Sequence, residues 1–179
     1  MCAVSKTPGV RVYIGLGSNV GDRVRFMREA IHKLEHLEGF TVLKASHFYE
    51  TDPIGMKDQG KFLNAVVEGE VKLAPYLLLW SIEEIEKQIG RQDRGKWGPR
   101  EIDLDLLFYG NTVHEGDDLT LPHARLHERD FVLVPLAELN EELVHPKLNK
   151  SIKTLLEESK AFDGSHPKPY PVETTGGTI

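Results

Sequence analysis

The sequence predicts an α+β sandwich: a mainly antiparallel sheet with helices packed on it and additions toward the C-terminus. Three observations carry this. Segments 10–17, 40–50, 62–71 and 101–109 show the alternating or continuous apolar character of strands. Two segments with apolar residues at helical spacing separate the first strand from the second and the third from the fourth. No internal repeat and no linker divides the chain. The resulting order is the βαββαβ of a ferredoxin-like sandwich. Its helices cover one face of the sheet and leave the other face, or its loops, for a ligand.

The elements follow in order. "VRVYIGLG" at 10–17 alternates weakly and ends in glycines. Asp22 precedes a helix marked by Met27, Ala30, Ile31, Leu34 and Leu37. Residues 40–50 read as one strand, followed by a loop from Thr51 to Gly60 with "DPIG" and "DQG". "FLNAVVEGEV" at 62–71 is the third strand. Ala74-Pro75 opens a helix, because proline suits a first turn. Leu78, Ile82, Ile85 and Ile89 form its buried stripe, and Gly90 ends it. After the strand at 101–109, Gly110-Asn111 suits a tight hairpin turn, with short strands expected at 112–114 and 119–121. "DFVLVPLAELN" at 130–140 fits strand or helix. Leu133, Leu136, Ala137 and the acidic end favour a helix bent by Pro135. Ser151 caps a last helix with Ile152, Leu155 and Leu156 inside. Residues 1–162 are expected to form one domain, and the Pro- and Gly-rich tail 163–179 to be extended or disordered.

Bulk properties narrow the function. A net charge of −6 over 179 residues argues against a general nucleic-acid binder. No apolar run approaches the length of a membrane span, and the N-terminus lacks the order of a signal peptide. The single cysteine, Cys2, excludes an internal disulfide framework and a Cys-rich zinc site. These features fit a cytoplasmic protein.

The chemistry is concentrated in "WGPREIDLDLLFYG", residues 97–110. Ile102, Leu104, Leu106 and Phe108 alternate as a half-buried strand should, with Asp103 and Asp105 on the opposite face. Side chains two apart on a strand lie roughly 6.5–7 Å apart at Cα. Two carboxylates there repel by roughly 2–3 kcal/mol at an effective dielectric of about 20. A cation between them reverses the sign. The preceding segment 91–100 holds four cations and one anion, which suggests a polyanion held together with a metal. Mg²⁺ favours one or two carboxylates plus phosphate oxygens, and two metals can clamp a phosphoryl group. The alternative is a solvated strand face.

Other constellations are more ambiguous. "GLGSNVGD" at 15–22 spaces its glycines as G-x-G-x-x-x-G, one residue too long for a dinucleotide fingerprint. It is either a plain strand-to-helix turn or a helix N-terminus near phosphate. Trp97 sits in a charged Gly-Pro loop, where an aromatic can stack on a flat ring. Asn64 shares a strand face with Phe62, and it either reads a heterocycle's edge or makes a structural hydrogen bond. His123, Arg125, His127 and Arg129 form a phosphate cluster or a solvated turn. There is no H-E-x-x-H and no G-x-S-x-G.

"KWGPREIDLDLLF" resembles the signature of the 6-hydroxymethyl-7,8-dihydropterin pyrophosphokinases of folate biosynthesis. The resemblance extends to "GLGSNVGD", "FYETDPIG", "DQGKFLNAVV" and "LTLPHARLHERDFVLVPLAEL", covering about 10–160 in order. It implies transfer of pyrophosphate from ATP to the pterin's 6-hydroxymethyl oxygen, with release of AMP. It implies that Asp103 and Asp105 hold two Mg²⁺ ions, with Arg100 beside them as a catalytic cation. It implies a pterin sandwiched between Trp97 and Phe131, its polar edge read by Asn64, in a pocket lined by Thr51, Pro53, Ile54 and Phe62. Arg94, Lys96, Arg100, His123 and Arg129 match positions near the ATP phosphates. Glu86, Leu106 and Thr120 match further nucleotide positions. The partners implied are ATP and the pterin, without nucleic acid or membrane, and a monomer is expected. No strong general base is visible beyond the metal carboxylates. The loop between Gly90 and Trp97 is about one residue shorter than in familiar members, Asp52 stands where proline is common, and Ala124 where an aromatic often packs.

Two rival readings compete. A metal-dependent phosphohydrolase or nucleotidyltransferase would release phosphate or pyrophosphate without a pterin. A non-catalytic ligand- or RNA-binding module would leave the aspartate pair unexplained.

Overall fold

The computed structural model describes residues 9–53, 59–95, 98–159 and 167–171. Strand β1 (Val10–Ser18) leads to helix α1 (Arg23–Glu35), where the Asp22 Oδ1 accepts the Arg25 N–H at 3.1 Å and satisfies one orphan donor of the first turn. The single strand expected at 40–50 is two, β2 (Phe40–Ala45) and β3 (Tyr49–Thr51). The break falls at Ser46. Its hydroxyl accepts the Val66 N–H at 3.0 Å and its own N–H reaches the Val66 carbonyl at 2.9 Å. A side-chain oxygen thus replaces a ladder acceptor, and the chain leaves the pleat. Strand β4 (Phe62–Val71) and helix α2 (Pro75–Ile89) follow. Gly90 caps α2 at φ 103°, a left-handed conformation that costs glycine little.

Strand β5 (Asp103–Tyr109) completes the βαββαβ frame. The sheet order places β5 beside β1, β1 beside β4, and β2 and β3 on the far side of β4, all antiparallel. The turn at Gly110 does not make a hairpin with β5 as expected. The next strands, β6 (His114–Glu115) and β7 (Thr120–Leu121), pair with each other instead, and the Gly110 N–H donates back to Arg11 O at 2.7 Å. Segment 130–140 is helix α3 (Asp130–Asn140), with Pro135 inside it and buried. A short pair, β8 (Val144–His145) and β9 (Lys150–Ser151), precedes α4 (Ile152–Ser159). The Ser151 hydroxyl accepts the Thr154 N–H at 3.2 Å, the cap the sequence predicts. Within the tail, β10 (Lys168–Pro169) runs along the free edge of β3, the position in a sheet where proline is tolerated.

The sheet is covered on both faces, not one. Val12, Ile14, Leu16, Leu63, Ala65, Val67, Ile102, Leu104 and Leu106 form the first core with α1 and α2. Tyr13, Val66, Leu107 and Phe108 form a second core on the other face with α3 and α4. Phe108 therefore does not share the face of Leu104 and Leu106. The β1–β5 register slips between Tyr13 and Ile14, so that Tyr13 faces Phe108 and Ile14 faces Leu106. This bulge sets an extra residue on β5 and turns Leu107 and Phe108 together toward α3. Helices α3 and α4 cover the Tyr13–Phe108 half of the second face. The other half, toward Gly17 and Asp103, carries the candidate site.

Candidate active site

The open half of the second face is laid out by strand register. Gly17 of β1 lies opposite Asn64 of β4 on one side and Asp103 of β5 on the other; Gly15 lies between Val66 and Asp105 in the same way. The central strand thus carries no side chain where its neighbours carry an amide and two carboxylates. With strands about 4.8 Å apart, Asn64 and Asp103 stand roughly 10 Å apart at Cα across this trough. A Cβ placed on Gly17 would meet Asn64 Oδ1 at 3.6 Å, Phe62 Cδ1 at 3.9 Å and Asp103 Cβ at 4.0 Å. These are ordinary contacts, so packing against these residues does not demand glycine.

The Asn64 wall is fixed. Asn64 is buried, and its Nδ2 donates to the Thr51 Oγ1 at 2.8 Å. That bond orients the amide and is the structural hydrogen bond of the two sequence alternatives, and it leaves Oδ1 flanking the trough. Phe62 pairs with Thr51 at the mouth, and Pro53 follows in the loop. Phe131 is half-buried in the first turn of α3, with the Arg129 guanidinium 5.6 Å from its ring centre. Ile54, Lys96 and Trp97 lie outside the described residues.

The acidic wall is held by arginines. Arg100 Nη1 lies 2.6 Å from Asp103 Oδ2, and Arg91 Nη1 lies 2.9 Å from Asp103 Oδ1. Arg91 also pairs with Glu86. Asp105 is half-buried; burial and the neighbouring Asp103 push its carboxyl above the ordinary range, against the pull of His123, Arg129 and Arg100. Burial lowers His123 in turn, against Asp105. This is the donor set a hard dication fits: two carboxylates on one face, one of them destabilised as an anion by desolvation and by its neighbour.

Two clefts open beside partners of these carboxylates, one at Arg91 and Arg100 and one at His123. One, about 410 Å³, is lined by Glu86, Arg91, Arg94, Pro99 and Arg100 among others. The second, about 480 Å³, is lined by Thr120, Leu121, His123, His145 and Lys147 among others. Arg94 reaches the first cleft but is paired with Glu101, at 2.5 Å from Nη2 to Oε1, and holds that carboxyl down at about 2. Leu106 is buried in the first core.

Two residues at the site carried no role in the sequence reading. Arg91 follows the Gly90 cap directly, and that fixed start to the basic loop was the available signal. Asn19 lies inside "GLGSNVGD" but is neither glycine nor charged. It is buried, and its Oδ1 accepts the Arg100 N–H at 2.7 Å while its N–H donates to Arg100 O at 3.0 Å. Its Nδ2 donates to Gln59 Oε1 at 2.9 Å. One amide therefore ties the β1–α1 loop, the start of β4's approach and Arg100 together. Asn19→Ala is expected to cost about 1–3 kcal/mol in urea denaturation, since the half-buried Arg100 N–H loses its side-chain acceptor and the loop loses its tie to Gln59. Turnover should fall with it.

Glu86 supplies a pH signature. It is buried, its Oε1 accepts the Leu104 N–H at 2.6 Å, and burial raises its carboxyl from near 4.5 to about 7. A raised acid binds a proton more readily in the folded than in the unfolded state. Its contribution to stability therefore falls as pH rises from about 4.5 to 7, by up to about 3 kcal/mol. Melting temperatures across that window should decline less steeply in Glu86→Gln; an unchanged slope would assign the effect elsewhere.

The family model described as 7,8-dihydro-6-hydroxymethylpterin-pyrophosphokinase (HPPK) matches residues 13–141. A 2-amino-4-hydroxy-6-hydroxymethyldihydropteridine pyrophosphokinase of Aquifex aeolicus is 45% identical over 142 residues, 79% of this chain and 88% of that protein. The Bacillus subtilis protein of the same name is 45% identical over 131 residues, 73% and 78% of the two chains. The folic acid synthesis protein fol1 of Pneumocystis carinii is 44% identical over 146 residues, 82% of this chain but 20% of that longer protein. In fold, the chain is similar to wild-type Plasmodium falciparum HPPK-DHPS, with a TM-score of 0.69 at 17% identity, over 86% of this chain and 45% of that one. Among the described residues, no helix is long and apolar enough to cross a membrane.

Proposed function

The chain belongs to the 7,8-dihydro-6-hydroxymethylpterin-pyrophosphokinase family and transfers pyrophosphate from ATP to 6-hydroxymethyl-7,8-dihydropterin, releasing AMP in folate biosynthesis; we propose that it does so across the Gly17 trough. The observation that carries this placement is the register of β4, β1 and β5. It sets an amide and two carboxylates on opposite banks of a strip without side chains. The pterin lies on the Asn64 bank, with Thr51, Pro53, Ile54 and Phe62 around it and Trp97 and Phe131 as stacking rings. The amide of Asn64, already oriented by Thr51, offers its Oδ1 to the heterocycle's donors.

Asp103 and Asp105 would hold two Mg²⁺ ions with the triphosphate. The bound ions would neutralise phosphate charge and acidify the hydroxymethyl group. The chain's own residues supply positioning. Arg100, Lys96, Arg94, His123 and Arg129 meet the phosphates, with Glu86 and Thr120 bordering the nucleotide and Leu106, its side chain buried in the first core, offering it only the backbone of the edge strand β5. Phosphoryl-type transfer rests on such alignment and charge neutralisation, with no covalent nucleophile required. The hydroxymethyl oxygen attacks the β-phosphorus, the bond from that phosphorus to the α–β bridging oxygen breaks, and AMP leaves with the oxygen. The proton goes to solvent or to Asp103 or Asp105.

The test is product analysis. Incubation with ATP, Mg²⁺ and 6-hydroxymethyl-7,8-dihydropterin should yield AMP and the pterin diphosphate in equal amounts. ADP as product, or nucleotide turnover independent of pterin, would overturn the reading and favour a phosphohydrolase.

A further inference from the structure

We propose that the last turn of α1 is a second metal site, binding a transition-metal dication of the zinc class through His32, Glu35 and His36. The three are exposed, and one ligand atom from each lies within 4.8 Å of the others. His32 Nδ1 lies 3.7 Å from Glu35 Oε2. A tetrahedral site with bonds of about 2.0–2.2 Å has edges of about 3.4 Å, so the pair closes on a cation with a small side-chain movement. His32 and His36 are four apart on the helix, and their ring centres are 4.3 Å apart.

The second nitrogen of His36 is already assigned. Its Nδ1 lies 2.8 Å from the His32 carbonyl oxygen. A carbonyl only accepts, so in the neutral ring the proton is on Nδ1 and the Nε2 lone pair is free. This is the outer-shell arrangement that orients metal-binding histidines.

Surrounding charge agrees. The C-terminal turn of a helix carries partial negative charge, and Glu35 adds a full one. Lys33, the cation within the turn, is drawn to Gln88 Oε1 at 3.0 Å. Arg28 and Glu29, one turn earlier, are of opposite sign. Two imidazoles select Zn²⁺, Ni²⁺ or Cu²⁺ over Mg²⁺, which prefers oxygen ligands. Three protein ligands leave at least one coordination position to water. Helix α1 packs on the sheet face opposite the trough, so this site is separate from the Asp103–Asp105 pair.

The experiment is a Zn²⁺ titration by calorimetry of tag-free protein in saturating Mg²⁺, which occupies the aspartate pair. One Zn²⁺ should bind. Affinity should fall by about tenfold or more in His32→Gln and in His36→Gln, and stay unchanged in His47→Gln, a control at another exposed histidine–glutamate pair. Substoichiometric Ni²⁺ should broaden the imidazole NMR signals of His32 and His36 before those of other histidines. No Zn²⁺ binding, superimposable titrations for wild type and variants, or broadening that begins elsewhere would overturn the proposal. All of these readouts are independent of turnover.

Discussion

Asp105→Ala should lower pyrophosphate transfer by roughly 10³-fold and leave the protein at least as stable as before. The two halves of this expectation have one cause. Asp105 sits half-buried on β5 beside Asp103, and its surroundings hold its carboxyl above the ordinary range. The fold therefore disfavours the anion, and between the ordinary and the raised value stability declines as pH rises. Removing the group lifts that burden, so the variant should melt no lower than wild type at pH 8, with a flatter pH dependence. The same desolvated anion is what a dication would reward, so its loss should fall on Mg²⁺-dependent turnover. Assays at saturating ATP and pterin, paired with thermal melts, decide the matter. Near-normal turnover would remove Asp105 from the metal site, and a large drop in melting temperature would make it a structural residue.

Asp103 differs, and the difference shows what a sequence can and cannot express. Its spacing from Asp105 was legible, because strand periodicity puts i and i+2 on one face. Its partners were not. Arg100 is close in sequence, but Arg91 reaches it only because α2 ends at Gly90 beside the start of β5. Such a contact is a product of packing. The same holds for Asn19, whose three-way anchoring depends on loops distant in the chain. The βαββαβ frame was legible because each element announces itself locally: the Asp22 cap, Pro75 at a first turn, Gly90 at an end. Two of the places where strand reading failed are places where regular pairing is interrupted. Ser46 splits β2 from β3 by substituting a hydroxyl for a backbone acceptor. The bulge in β5 turns Phe108 to the face of Leu107. Neither leaves a trace in apolar periodicity, since both flanking segments still read as strand.

The bulge also bounds the site. It delivers Leu107 and Phe108 to the second core, where α3 and α4 cover them, and leaves Asp103 and Asp105 on the uncovered half. Gly17 is then a position where added bulk acts on the trough and not on the packing of the sheet. Gly17→Val should weaken pterin binding by about 100-fold or more while the fold stays intact. Gly17 lies within β1 and has no positive φ, so a β-branched residue suits its backbone. A first carbon there meets Asn64, Phe62 and Asp103 only at ordinary distances of 3.6–4.0 Å, so the sheet can accept it. The valine methyl groups would occupy the trough floor between the amide and the carboxylates, the space a flat heterocycle needs. Gly17→Ala, one carbon larger than wild type, should fall between the two. The proposed nucleotide positions Arg100 and His123 are on the far bank, so binding of a non-hydrolysable ATP analogue with Mg²⁺ should change by less than about threefold. Calorimetry with each ligand in turn separates the outcomes. A valine variant that binds pterin normally would move the pterin off Gly17, and one that loses both ligands would mean that the banks of the trough do not act independently.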